Sequence, residues 1–138
     1  MMAWVHASVG AALGSRIKNR GLAFAAGVVS HMICDLAPHR DFELPAEAAM
    51  VSIALGAIAV RHGIDSPEMA GALGAISPDF ENGLERLGVI RGTVFPTHTD
   101  QSWSVGHGRR IESPISQIVL ACACLALAEF GRSKRNVT

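Results

Sequence analysis

Tyrosine is absent from the chain, and no stretch alternates apolar and β-branched residues at the two-residue period of a half-buried strand. That removes the usual material of a β-sheet. An excess of charge of one sign is also missing. Twelve basic residues balance twelve acidic ones, so no global field draws in nucleic acid. Charged residues of both signs make up only 17%, against about 25% in an average soluble protein. Cysteine is scarce and odd in number: Cys34, Cys122 and Cys124 build no disulfide framework. Cys122 and Cys124 stand two apart in an apolar run, so they point to different faces of a helix and read as small hydrophobes. No basic stretch precedes the first apolar run, which excludes a secretory signal and a secreted location as the plain expectation. Gly-rich phosphate loops, nucleophile elbows and paired Cys-x-x-Cys motifs are lacking as well.

What is present is apolar: 49% of 138 residues, a normal length for one domain over the range 1–138. Four apolar stretches stand out, Ala3–Leu13, Gly21–Ala37, Ala48–Val60 and Ile115–Ala128. A membrane-crossing helix wants about 20 apolar residues, and each stretch falls short or carries polar groups. Basic residues on both sides of the last stretch suit an interfacial segment and a solvated helix end equally. The terminal run Gly131-Arg132-Ser133-Lys134-Arg135 reads as a frayed end.

The pattern predicts an all-α fold, a compact bundle of about five short helices with an irregular segment before the last. Helix one covers about Val5 to Ile17, and a basic last turn before Asn19 and Gly21 stops it. Helix two covers about Leu22 to Leu36 and ends ahead of Pro38. Helix three opens near Pro45, with Glu47 at its positive end, and closes at His62-Gly63. Asp65 or Ser66 caps helix four, with Pro67 first inside it. That helix is expected to stop before Ser77-Pro78, with a short turn over Asn82–Leu87. Helix five starts at Ser113-Pro114 and reaches about Phe130.

The chemistry-bearing residues are histidines and carboxylates. His31 and Asp35 stand four apart on a helix, so both face one side. An ionised aspartate on an apolar face is costly unless something pairs with it. A divalent metal is one such partner; a hydrogen bond to His31 is the other. Pro38-His39-Arg40-Asp41 adds a second His and Asp just past the helix end, or is simply an exposed loop of mixed charge. In Ser77-Pro78-Asp79-Phe80-Glu81 the proline holds Asp79 at a defined angle, unless Asp79 only caps the next turn. Glu81 is a second ligand, a general base or an ordinary surface residue. Thr97-His98-Thr99-Asp100 and His107 lie in the irregular segment, and His6 begins helix one. His62 reads as a basic C-terminal residue outside the set. Nitrogen and oxygen donors of this kind suit zinc, with manganese or iron as alternatives. An enzyme built on them would draw its nucleophile from a metal-activated water, whose pKa falls toward about 7.

The segment from Gly27 to Asp41, with Ser30-His31, Asp35 and Pro38-His39-Arg40-Asp41, resembles a Gly-x-x-Ser-His-x-x-x-Asp-x-x-Pro-His-x-Asp element of a family of small bacterial proteins. His6 to Gly14 and Gly71 to Asp79 resemble theirs too. These motifs are similar to those of the membrane-bound metal-dependent hydrolases related to YdjM, and more distantly to zinc-dependent phospholipase C. The likeness touches about half the chain. In the YdjM-like proteins the Pro-Asp motif precedes the Ser-His-x-x-x-Asp helix, whereas here it follows. Their His-Arg-Gly-x-Thr-His-Ser motif is represented only by fragments at His39-Arg40 and Thr97-His98. The resemblance implies an all-helical domain with a metal site at His6, His31, Asp35 and Asp79, and hydrolysis of a phosphoester.

The expectation is a metal-dependent hydrolase acting on a small phosphoester or lipid-like substrate. His6, His31, Asp35, His39, Asp79, His98 and His107 are its candidate ligands, and Glu81 or Asp41 its base. Its location would be bacterial, membrane-associated or cytoplasmic. The alternative is a membrane-associated structural or interaction protein whose His/Asp cluster is structural.

Overall fold

The computed structural model describes residues 1–99, 102–105 and 107–135, with side chains as far as Gly131. Asp100 therefore lies outside the described residues. The fold is all-α. Its helices are α1 (Ala3–Gly14), α2 (Arg20–Leu36), α3 (Leu44–His62), α4 (Pro67–Arg86) and α5 (Ile115–Arg135). Among the described residues there is no strand, only an isolated bridge between His39 and Arg110. Helix α1 is central and packs on all four others; α4 also packs on α2 and α3.

Several boundaries follow from local chemistry. The Asn19 side chain accepts from the Leu22 N–H and opens α2. Ser66 accepts from the Met69 N–H and opens α4, with Pro67 in its first turn. Gly63, at φ 92°, closes α3 in a conformation that disfavours a side chain. Helix α1 ends at Gly14, short of Ile17, and α5 continues to Arg135, so the basic run is helical in its backbone.

The larger correction concerns α4, which passes straight through Pro78 to Arg86. A proline removes the N–H that would bond the carbonyl four residues back. Here that carbonyl, of Gly74, accepts from the Ser77 hydroxyl at 2.8 Å instead. The freed acceptor is satisfied and the helix has no reason to stop. Asp79 accordingly sits inside a helix and caps no turn.

The interior is made of small residues. Gly10 and Gly14 of α1 meet Gly71, Ala75 and the Pro67–Glu68 backbone of α4, while Phe24 and Gly27 of α2 meet Gly71, Gly74 and Ala75 of the same helix. A Cβ on Gly71 would lie 2.1 Å from the Gly10 carbonyl oxygen, and one on Gly27 would lie 2.2 Å from that of Gly71. Three helices thus touch backbone to backbone, the close approach that small-x-x-x-small spacing permits. Large apolar side chains point the other way: Val29, Ile33 and Leu36 of α2, Ile53 and Val60 of α3, Val119 and Phe130 of α5 are exposed. In α5 the inner face is Gln117, Ala121, Cys124 and Ala128, while Cys122 faces out. Helix α3 is long and apolar enough to cross a membrane, and only 11% of its apolar window is buried. The short run Ala48–Val60 understated it, because the helix extends from Leu44 to His62.

Candidate metal centre

The close crossing of α1, α2 and α4 brings His6, His31, Asp35 and Asp79 to one end of the bundle. The loop after α2 adds His39 and Asp41, and the segment between α4 and α5 adds His98 and His107. Asp35 is the hub and is fully buried. Its Oδ1 lies 3.0 Å from His6 Nε2, and its Oδ2 lies 3.0 Å from both His31 Nε2 and His98 Nε2. The Thr97 hydroxyl donates to the same Oδ2 at 2.9 Å, and His107 Nδ1 stands 3.7 Å away. The terminal ammonium of Met1 donates to Asp35 Oδ1 at 2.7 Å.

Three overlapping triads can each hold a metal ion: His6, His31 and Asp79; His31, Asp35 and His98; Asp35, His39 and His107. Within each, the donor atoms lie within 4.8 Å of one another. The first two triads share His31 and the last two share Asp35.

Backbone carbonyls settle how two of the imidazoles point. His31 Nδ1 lies 2.7 Å from the Ala75 carbonyl oxygen, and His39 Nδ1 lies 2.8 Å from that of Ala37. A carbonyl only accepts, so both Nδ1 atoms carry hydrogen and donate. In the neutral ring Nε2 is then a bare lone pair. His31 Nε2 nevertheless faces His98 Nε2 at 3.0 Å, and His39 Nε2 faces His107 Nε2 at 2.7 Å. A hydrogen on the facing Nε2 of His98 or His107, or a metal, must lie between each pair. At His31 the Asp35 Oδ2, 3.0 Å from the same Nε2, is a third acceptor, and a divalent cation satisfies all three at once. Anchoring of the distal ring nitrogen by a carbonyl is also the usual support of a metal-bound histidine. Within the cluster, His6 Nδ1 and Asp79 Oδ2 are buried without a hydrogen-bond partner, and both residues belong to the first triad. The donor set therefore fits a divalent cation.

The protonation states agree with a cluster built around carboxylate charge. Burial alone would raise the Asp35 carboxyl, but hydrogen bonds from His31, His6 and His98 hold it far below the usual range. Asp41 behaves likewise: burial opposes, while His107 and His39 pull it down. Burial drives His6 down to about 3 against its hydrogen bond to Asp35, so the ring is neutral. Its bond to Asp41 raises His107. Asp79 goes the other way, raised well above normal by burial and by repulsion from Asp35, Glu47 and Asp41. Without a cation beside it, Asp79 favours its neutral form.

Glu81 is not brought into the cluster. Its two carboxylate oxygens accept the backbone N–H groups of Val94 and Phe95, both at 3.1 Å, and so anchor the loop leading to His98. Asp41 does reach the site and stands at its mouth, 3.5 Å from His39 Nε2 and 3.8 Å from His107 Nε2. His62 is buried at the far end of α3, 3.7 Å from Glu68 and 3.4 Å from Glu129, not displayed to solvent. Two contributors escaped the sequence reading. Thr97 fixes Asp35, and Glu47 accepts from the Ala3 and Phe42 N–H groups at 2.9 Å each, tying α3 to the start of α1 and to the Asp41 loop. The Thr97-His98 pairing was visible; the Glu47 clamp had no local signal.

The cluster is open on one side. Asp41, Asp79, His98 and His107 line a cavity of about 700 Å³ that continues between α3 and α4. No protein-family model, no curated protein and no solved structure matches the chain.

Proposed function

We propose that the chain is a membrane-associated, metal-dependent phosphoester hydrolase with two neighbouring zinc positions that would share Asp35. The observation that carries the reading is the pair of carbonyl-anchored histidines, His31 and His39, whose bare Nε2 atoms face a second imidazole and a carboxylate. One position draws on His31, His98 and Asp35, with Asp79 and His6 adjacent; the other draws on His39, His107 and Asp35, with Asp41 adjacent. Bound divalent cations supply Lewis acidity toward a phosphoryl oxygen and lower the pKa of water. Asp41 is the one carboxylate of the cluster that is more than half exposed, at 55%, and it stands at the mouth of the site, placed to accept a hydrogen bond from an incoming water and take its proton. The Ala75 and Ala37 carbonyls hold the His31 and His39 rings in place, and the Thr97 hydroxyl steadies Asp35. The outward apolar side chains and the exposed helix α3 support a membrane setting, with α3 as the lipid-facing segment.

Elemental analysis of protein purified without a histidine tag tests the site: two zinc ions per chain are expected. Bis(p-nitrophenyl) phosphate should be hydrolysed, the activity lost to chelator and restored by zinc. Metal-free protein that takes up no zinc would overturn the reading. Release of the protein from membranes by a salt wash without detergent would overturn α3 as a lipid-embedded segment.

A further inference from the structure

We propose that the groove between α3 and α4 seats a single alkyl chain whose phosphoester head lies on the His/Asp cluster. The substrate is then an amphiphile, not a small polar ester; this deepens the hydrolase reading and rests on it. The groove and the cluster are one cavity of about 700 Å³, within the roughly 300–1,000 Å³ of ordinary ligand sites. Its inner end is polar, with Asp79, His98 and His107. The stretch between the helices is mostly apolar, walled by Phe42, Leu44 and Val51 on one side and Ile76, Phe80 and Leu84 on the other, with Glu47, Asn82 and Arg86 also lining it. A small polar ester would fill only the inner end and leave the apolar walls against water. An attached alkyl chain covers them. One wall is α3, the helix apolar enough to cross a membrane, so a chain leaving a lipid layer meets the groove directly. A helix from a second copy fits less well, because its apolar face would press on Asp41 and His107.

The test is binding of a series of n-alkylphosphonates, from ethyl to decyl, to the zinc-loaded full chain by calorimetry below their micelle concentrations. Phosphonates occupy the cluster and are not hydrolysed. The dissociation constant should fall by up to about fourfold per methylene, then level off once the groove is filled. Leu84→Asp, and separately the more exposed Phe80→Asp, should flatten that dependence while leaving ethylphosphonate affinity, zinc content and melting temperature unchanged. Val29→Asp, on the exposed face of α2, should leave the whole series unchanged. Affinity independent of chain length overturns the proposal, as does equal loss in Val29→Asp, which would mark unspecific apolar binding. Turnover with a flat series sinks the groove alone. A steep series without turnover of any phosphoester sinks the hydrolase reading and leaves the groove standing.

Discussion

Helix α4 is held in its first half by backbone contact and in its second half by very little. From Pro67 to Ala75 its glycines touch the carbonyls of α1 and α2, and no side chain separates them. From Phe80 onward, Phe80 and Leu87 are exposed, and a Cβ on Gly83 would meet nothing within 4 Å. Asp79 marks the change. The packed half fixes how far His6 and His31 stand from Asp79, and the loose half leaves that site open. Precision at a site comes from rigid elements beneath it, and access comes from stopping that packing one turn later.

Paired glycine substitutions would break this comparison most directly. In Gly71→Ala the new methyl lies 2.1 Å from a carbonyl oxygen with no flexible side chain to yield. Overpacking of this kind costs about 1–3 kcal/mol, and a backbone-to-backbone clash belongs at or above the top of that range. Gly83→Ala, in the same helix, should instead stabilise by about 0.5–1 kcal/mol. Thermal melts should move in opposite directions. Equal shifts would mean that the two halves do not differ.

The cluster should respond next most strongly, and through charge instead of shape. Asp35→Asn keeps the size and removes the carboxylate that both proposed metal positions share. Zinc content should fall to less than half of wild type, and chelator should lower the wild-type melt while barely moving the mutant. If Asp35 served only as a partner for protonated histidines, the mutant would lose stability in chelator as well, and its wild-type reference would ignore chelator.

Much of this was legible in the sequence, and the illegible parts share a cause. Helix starts at Pro45 and Ser66-Pro67 and the stop at Gly63 are local, and the structure has them. The four-residue spacing of His31 and Asp35 is local too, and both side chains do face the same point. What failed depended on partners distant in sequence or on an unforeseen substitute bond. Pro78 looked like a helix stop because a hydroxyl standing in for its missing N–H is not a rule of composition. Glu81 looked like a base because nothing nearby shows that its carboxylate is committed to N–H groups thirteen and fourteen residues on. Gly10 and Gly14 carried the spacing of a close helix crossing, but only the fold shows that Gly71 is their partner.

The pH dependence of Asp79 sharpens the boundary between the halves. In metal-free protein its folded pKa is raised, so the folded state holds a proton that the unfolded state gives up near 3.8. Such a group contributes stability below that pH and loses it as pH rises toward the folded value. His6 opposes this: its folded pKa, about 3, lies below its unfolded 6.5, so its contribution grows as pH rises across that window. Comparing wild type with Asp79→Asn cancels the His6 part. In chelator the two should melt alike near pH 4, and the mutant should melt progressively higher as pH rises to 8. With zinc the order should reverse, because the ionised carboxylate then has a cation. A wild-type to mutant difference that does not change with pH in chelator would show that Asp79 is not held neutral.

The smallest effect is expected at Glu81, and it separates an anchor from a base. As an anchor, Glu81 accepts two backbone N–H groups and steadies the loop that ends in His98. Glu81→Gln keeps one acceptor oxygen and turns the other into a donor facing an N–H. One charge-assisted bond is lost at a half-exposed position, a matter of about 1 kcal/mol of local stability. Phosphoester turnover should fall no more than a few-fold, with its pH profile unmoved. Glu81→Ala removes both bonds, so zinc affinity at the His98 position should weaken further, with no new effect on the profile. A general base behaves otherwise: either substitution would cost roughly 10²–10⁴ in kcat and erase the acidic limb of the profile. Glu81 also lies outside the triads that can hold a metal, which leaves Asp41 as the carboxylate whose loss should do that. If Asp41→Asn kept its acidic limb while Glu81→Gln lost it, the loop anchor would be the catalytic group and the loose half of α4 would be part of the reaction centre.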